Sequence, residues 1–196
     1  YNMSKLVSIP KIIFGTSSLG NLFVELDKDT KTQLVQAAIE NSRTMPLFDS
    51  AGKYGAGLAL ESLAAGLKAL NVAPDAVRIS NKLGWKRVPL TTAEPTFEPG
   101  AWINLKYDAV QDISYQGILD CYQQGNDLLG DYQAKIVSLH DPDEYLASAT
   151  GETDLIKRKQ DILDAYKALI ELRDAGIVES VGVGAKDVSV IDFISD

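Results

Sequence analysis

The sequence predicts an α/β fold built on a parallel sheet, and three observations carry that prediction. Short runs rich in Ile and Val alternate with longer stretches whose apolar residues recur at three-and-four spacing. Each longer stretch ends close to the start of the next short run, as βαβ units require. Finally, 45% hydrophobic and 23% charged residues over 196 positions is an ordinary globular balance, with enough apolar material for a core.

In order, the expected strands are Lys11 to Phe14, Met45 to Phe48, Val77 to Ser80, Lys135 to Leu139 and Ser180 to Val183, all short enough to be buried. The first helix is expected over Thr30 to Asn41, where Leu34, Ala37, Ala38 and Asn41 share a face and Asp27 or Asp29 can cap the start. A second is expected over Leu58 to Leu70 and a third over Tyr115 to Leu129. The fourth, Arg158 to Ala175, carries Ile162, Ala165, Leu169 and Leu172 on one stripe, with Gly176 just past its end. The Lys157-Arg158-Lys159 run reads as a solvated helix start. Gly84 to Ser114 stands apart: its three prolines and several aromatics suit a long functional loop or a partly disordered segment. Trp85, Phe97, Trp102 and Tyr107 give it the apolar weight to close over a pocket or over the core alone. No repeat or linker divides the chain, so one domain over residues 1–196 is expected.

A net charge of −8 and a pI near 4.7 argue against nucleic acid or an anionic membrane surface as a partner. Cys121 is the sole cysteine, which excludes a disulfide within the chain and fits a reducing compartment. The opening Tyr1-Asn2-Met3-Ser4-Lys5 lacks the apolar run of a signal peptide, and Met3 would serve as a natural initiator. No stretch has transmembrane length, and a cytoplasmic location is expected. One histidine, one cysteine and scattered carboxylates offer no metal-ligand cluster.

Asp49, Lys82 and His140 each fall at the end of an expected strand, and Tyr54 follows Asp49 in the next loop. Singly, each has an ordinary reading: Asp49 as a turn cap, Lys82 as a solvated charge, Tyr54 as a turn residue, His140 as a satisfied structural group beside Asp141. Together they fall at one end of one sheet, where the mouth of a parallel α/β fold gathers its chemistry.

The run Phe48-Asp49-Ser50-Ala51-Gly52-Lys53-Tyr54-Gly55-Ala56-Gly57 resembles a motif of the aldo-keto reductases, in which an Asp stands five residues before a Tyr-Gly. Asn81-Lys82 and Leu139-His140-Asp141-Pro142 resemble that family's third-strand lysine and fourth-strand histidine. Phe14-Gly15-Thr16-Ser17-Ser18-Leu19-Gly20 is similar to its first strand and turn, and Leu169 to Val178 with Ser180-Val181-Gly182-Val183-Gly184 to its fifth unit. His-Asp-Pro-Asp and the Gly-Val-Gly ending are nearest the sugar branch, that of the D-threo-aldose and L-fucose 1-dehydrogenases. The chain departs from the pattern where Ala59-Leu60 replace a usual Ser-Glu, with Glu61 one residue later, and where Gly184-Ala185 replace a common Ser-Asn.

The resemblance implies a (β/α)8 barrel of which this chain supplies about the first five units, using NADP or NAD to interconvert a carbonyl and an alcohol, on an aldose or small aldehyde. It implies Tyr54 as general acid or base, and Lys82 beside it as an ammonium that favours phenolate, held in place by Asp49. It further implies His140 as hydrogen-bond donor to the substrate oxygen. Gly15, Thr16, Asp49 and Gly184 are implied on the cofactor side, and Trp85 with Tyr54 and His140 on the substrate side. Two rivals stay open: an aldolase-type lyase with Lys82 as Schiff base, and a regulatory subunit that holds nicotinamide but turns over little. Because the sequence reaches no sixth strand, five units on their own are expected to leave sheet edges unpaired.

Overall fold

The computed structural model describes residues 8–195; Met3 and the opening pentapeptide lie outside the described residues. Five strands, β1 (Phe14–Gly15), β2 (Leu47–Ala51), β3 (Arg78–Leu83), β6 (Ile136–His140) and β7 (Ser180–Gly184), form one parallel sheet in chain order. A separate antiparallel hairpin pairs β4 (Trp85–Pro89) with β5 (Tyr107–Gln111). The helices α1 (Lys28–Glu40), α2 (Leu58–Ala69), α3 (Tyr115–Leu129) and α5 (Glu152–Asp174) follow successive strands, with short α4 (Pro142–Ala147) and α6 (Ser189–Ser195) beside them. Strand order equal to chain order, with a helix between neighbours, is the winding of a (β/α) barrel.

Alternation explains which side chains meet. Along β3, Ile79, Asn81 and Leu83 are buried, and Ile79 and Leu83 join Phe48, Val137 and Leu139 in packing against the helices. Ser80 and Lys82 therefore face the other side, with Asp49 and Ser138. The helical layer is supplied by stripes such as Leu60, Leu63 and Leu67 of α2 and Ile162, Ala165 and Leu169 of α5, all fully buried. Asp27 caps α1 by accepting from the Thr30 N–H at 2.7 Å, and Gly176 follows α5 at φ +71°.

Several expectations are corrected. β1 is shorter and later than Lys11 to Phe14, because residues 11–13 stay exposed outside the ladder. β2, β3, β6 and β7 run past their expected ends, since the pairing continues through Ala51↔Lys82 and His140↔Gly184. Asp49, Lys82 and His140 are thus within strand ends rather than after them. Helix α5 begins at Glu152, six residues before Arg158, with Thr150 donating its N–H to Asp154 at 2.9 Å at its entry. Arg158 is consequently interior and only partly exposed, bonding Asp154 at 3.0 Å and the Tyr145 carbonyl at 2.7 Å.

The long segment after Gly84 holds the β4–β5 hairpin, whose strands are joined by residues 90–106 in bends and turns with one bridge, Leu22 to Trp102. Its hairpin is tied down by Arg87, which makes a fork of 2.9 and 2.7 Å bonds to Glu61 and a 2.6 Å bond to the Ala56 carbonyl. Phe97, Trp102, Leu105 and Ala109 form a second apolar cluster with Ala56, against which Tyr54 packs. The aromatics thus close over the turn after β2.

Candidate active site

Register places three of the four polar groups. Gly15 pairs with Asp49 and Asp49 with Ser80; Lys82 pairs with Ala51 and Ser138; His140 pairs with Gly184. Each step across the sheet rises by two residues, so side-chain alternation keeps Asp49, Lys82 and His140 on the inner face at the carboxyl ends of their strands.

Tyr54 is brought to them by the backbone. Gly55 has φ +60°, and a Cβ there would lie 2.3 Å from the Gly20 carbonyl oxygen, while one on Gly20 would lie 2.8 Å from the Tyr54 carbonyl carbon. The turns after β1 and β2 therefore press backbone on backbone. Gly55→Ala is expected to destabilise the protein by about 1–2 kcal/mol from the left-handed conformation and a further ~1–3 kcal/mol from overpacking. Urea unfolding measures this, and an unchanged midpoint would contradict the close packing.

The Lys82 Nζ donates to Asp49 Oδ2 at 2.6 Å and to the Ser50 carbonyl at 3.1 Å, and lies 4.8 Å from the centre of the Tyr54 ring. Tyr54 meets His140 edge to face, with ring centres 5.9 Å apart, and stacks on Trp102 at 5.8 Å. Asp49, Tyr54, Lys82 and His140 thus converge as the sequence suggests. The His140 side chain is only 8% exposed, and burial, helped by the charges of Lys82, Lys53 and Lys186, drives its pKa well below the usual 6.5. At neutral pH the ring is neutral and has one N–H to give. Its buried Nδ1 has no hydrogen-bond partner among the described residues, and Nε2 lies 3.5 Å from Asp141 Oδ1.

Gly15, Asp49, Lys82, Ser138 and Gly184 line a cavity of about 580 Å³ on the inner face. Thr16 follows β1, and its N–H and its hydroxyl both donate to the Asp49 carbonyl at 3.1 Å. Trp85 packs against Phe97, with the Lys53 Nζ 4.6 Å from its ring centre. Trp102 and Lys53 were missed as site neighbours. Trp102 was visible only as apolar weight in a long segment, and Lys53 carried no signal beyond an ordinary surface charge.

Among the described residues no group of three or more metal-ligating side chains gathers, and no helix is long and apolar enough to cross a membrane. The burial of Cys121 pushes its thiol up to about 11, which makes it a core residue rather than a nucleophile.

The ends of parallel strands thus present a carboxylate, an ammonium and a neutral imidazole on one face, and the turn after β2 adds a phenol. The chain belongs to the aldo/keto reductase family, matching it over residues 11–196. It is 26% identical over 182 residues to a D-threo-aldose 1-dehydrogenase of a Pseudomonas species, covering 91% of this chain and 51% of that protein. It is 23% identical over 199 residues to a pyridoxal 4-dehydrogenase of Microbacterium luteolum, covering 94% and 54%. The structure of a glycerol dehydrogenase from Gluconobacter oxydans matches with a TM-score of 0.66 at 17% identity, over 98% of this chain and 50% of that one. A holo-form aldo-keto reductase from Bacillus halodurans matches with a TM-score of 0.60 at 18% identity, over 93% and 48%. The chain thus spans about half the length of these relatives. The family fold is the (β/α)8 barrel, to which this chain contributes five parallel strands, and its members use NADP or NAD on small carbonyl compounds.

Proposed function

We propose that the chain is the N-terminal part of a single-domain barrel enzyme that interconverts a carbonyl and an alcohol on an aldose or small aldehyde, in the cytoplasm. The observation that carries this is the Lys82 ammonium, held at 2.6 Å by Asp49 and 4.8 Å from the centre of the Tyr54 ring, with His140 edge-on at 5.9 Å. In that arrangement Tyr54 gives a proton to, or takes one from, the substrate oxygen. Lys82 stabilises the negative charge that builds on the phenol oxygen as its proton leaves, and Asp49 keeps the ammonium in place. The N–H of the neutral His140 ring orients the same substrate oxygen.

NADP or NAD, when bound, supplies or accepts the hydride. The residues present suit a flat ring against the sheet: Gly15 and Gly184 line the inner cavity without side chains, beside Asp49. A Cβ on Gly184 would lie 2.8 Å from Lys82 Cδ, so the glycine leaves the lysine its path. We assign Gly15, Asp49 and Gly184 to the cofactor side, with Thr16 holding the Asp49 backbone through its carbonyl, and Tyr54, His140 and Trp85 to the substrate side. Schiff-base chemistry at Lys82 is disfavoured, because an amine locked to Asp49 and to the Ser50 carbonyl is no free nucleophile.

The test is a panel of aldoses and simple aldehydes with NAD and NADP, oxidised and reduced, on the full-length protein, followed at the absorbance of the reduced cofactor. Turnover of an aldose with an oxidised cofactor, or of an aldehyde with a reduced one, is the expected result. Silence across the panel would overturn the reading.

A further inference from the structure

Lys53 precedes Tyr54 in the turn after β2, yet its side chain is only 4% exposed. A lysine so buried requires charged or polar partners. Its Nζ lies 2.7 Å from Asp141 Oδ2 at the end of β6, 2.8 Å from Glu98 Oε1 in the segment between β4 and β5, and 3.6 Å from Glu144 in α4. The face of Trp85 covers it at 4.6 Å. Burial works against the ammonium, but the bonds to Asp141 and Glu98 outweigh it and hold the lysine above its ordinary pKa. Asp141 is itself left-handed at φ +54°, a conformation an aspartate adopts at a cost and one that keeps it directly after His140.

The other oxygen of Glu98 continues the chain of contacts. Glu98 Oε2 accepts from Trp102 Nε1 at 2.7 Å, and Trp102 stacks on Tyr54 with ring centres 5.8 Å apart. One buried charge thus joins both sides of the site: Asp141 next to His140, and Glu98–Trp102 against Tyr54.

We propose that Lys53 is a positioning residue that clamps the segment between β4 and β5 to the end of β6 and thereby sets the Tyr54 phenol, through Glu98 and Trp102, at the angle where Lys82 and His140 meet it. The inference rests on the assignment of Tyr54 as the proton-transfer group. Lys53 touches no reacting atom; it acts by fixing a geometry whose loosening by a fraction of an ångström is felt in turnover.

The test compares Lys53→Gln and Glu98→Gln in the full-length enzyme, each with Tyr54 intact and with Tyr54→Phe, using the best substrate and cofactor of the panel. With Tyr54 intact, Lys53→Gln is expected to lower kcat on the order of 10- to 100-fold while changing the KM of the cofactor less than about twofold. In the Tyr54→Phe background the same substitution should alter the residual turnover less than about twofold, because the group it positions is gone. Equal proportional losses in both backgrounds, or wild-type kcat in Lys53→Gln, would overturn the proposal. Should Lys53→Gln fail to fold, Glu98→Gln decides, since that carboxylate is partly exposed and an amide, with a single acceptor oxygen, cannot accept from both Lys53 and Trp102. The same background dependence supports the clamp, and its absence overturns it. Wild-type turnover in Tyr54→Phe would remove the underlying assignment and the clamp with it. A crippled Tyr54→Phe beside unaffected Lys53 and Glu98 variants would remove the clamp alone.

Discussion

Tyr54→Phe in the full-length protein is expected to lower kcat by on the order of 10²- to 10⁴-fold, the usual contribution of a positioned acid–base group. Cofactor affinity should hardly change, because the substitution removes one hydroxyl and leaves the ring. That ring keeps its stack on Trp102 at 5.8 Å and its edge contact with His140 at 5.9 Å, so the variant should fold as the parent does. Steady-state kinetics paired with a fluorescence titration of the reduced cofactor separates the two effects. A loss confined to KM would assign Tyr54 to binding, and equal kcat in the variant would reject it as the proton-transfer group. The neutral His140 sharpens the expectation, since a ring driven well below pH 6.5 by burial and three neighbouring lysines is a poor proton source at neutral pH and leaves that task to the phenol.

The part of this site legible in the sequence is the part written in strand periodicity. A polar residue at the end of an apolar run, as in Leu47-Phe48-Asp49 or Val137-Ser138-Leu139-His140, signals a strand delivering a side chain to the sheet's mouth. Parallel pairing then brings such residues together, and the register through Lys82↔Ser138 and His140↔Gly184 does so. Lys53 was illegible because its burial is created by Asp141, 88 positions away, and no local pattern distinguishes it from a solvated lysine. The hairpin was illegible for a related reason. Lys86 and Arg87 carry no strand pattern of their own, and the tertiary contacts of Arg87 with Glu61 and the Ala56 carbonyl, and of Lys86 with Asp112 and Asp120, hold them in one. The early start of α5 was hidden because Gly151 offers no capping side chain, and β1 was misplaced because Ile12 and Ile13 look like strand residues but remain exposed.

Lys82→Met is expected to lower kcat by on the order of 10²- to 10³-fold, as removal of a single preorganised electrostatic group commonly does. Methionine nearly matches the length and volume of the lysine stem, so the path past Gly184 stays filled and the change is chiefly one of charge. The direction follows from what is left behind. Without the ammonium at 2.6 Å, the Asp49 carboxylate remains at the site with no counter-charge, and it opposes the negative charge that must build on the Tyr54 oxygen. Asp49→Asn alone should cost less, since it loosens the lysine while sparing its charge, and Lys82 still donates to the Ser50 carbonyl. Adding Asp49→Asn to Lys82→Met should then recover part of the lost turnover by removing the uncompensated carboxylate, so the two losses do not add. A cycle of these variants, followed by kcat at fixed pH, measures that coupling. Simple multiplication of the two losses would mean that the carboxylate acts on something other than the lysine, and an undiminished kcat in Lys82→Met would show that the ammonium plays no part in the proton transfer at Tyr54.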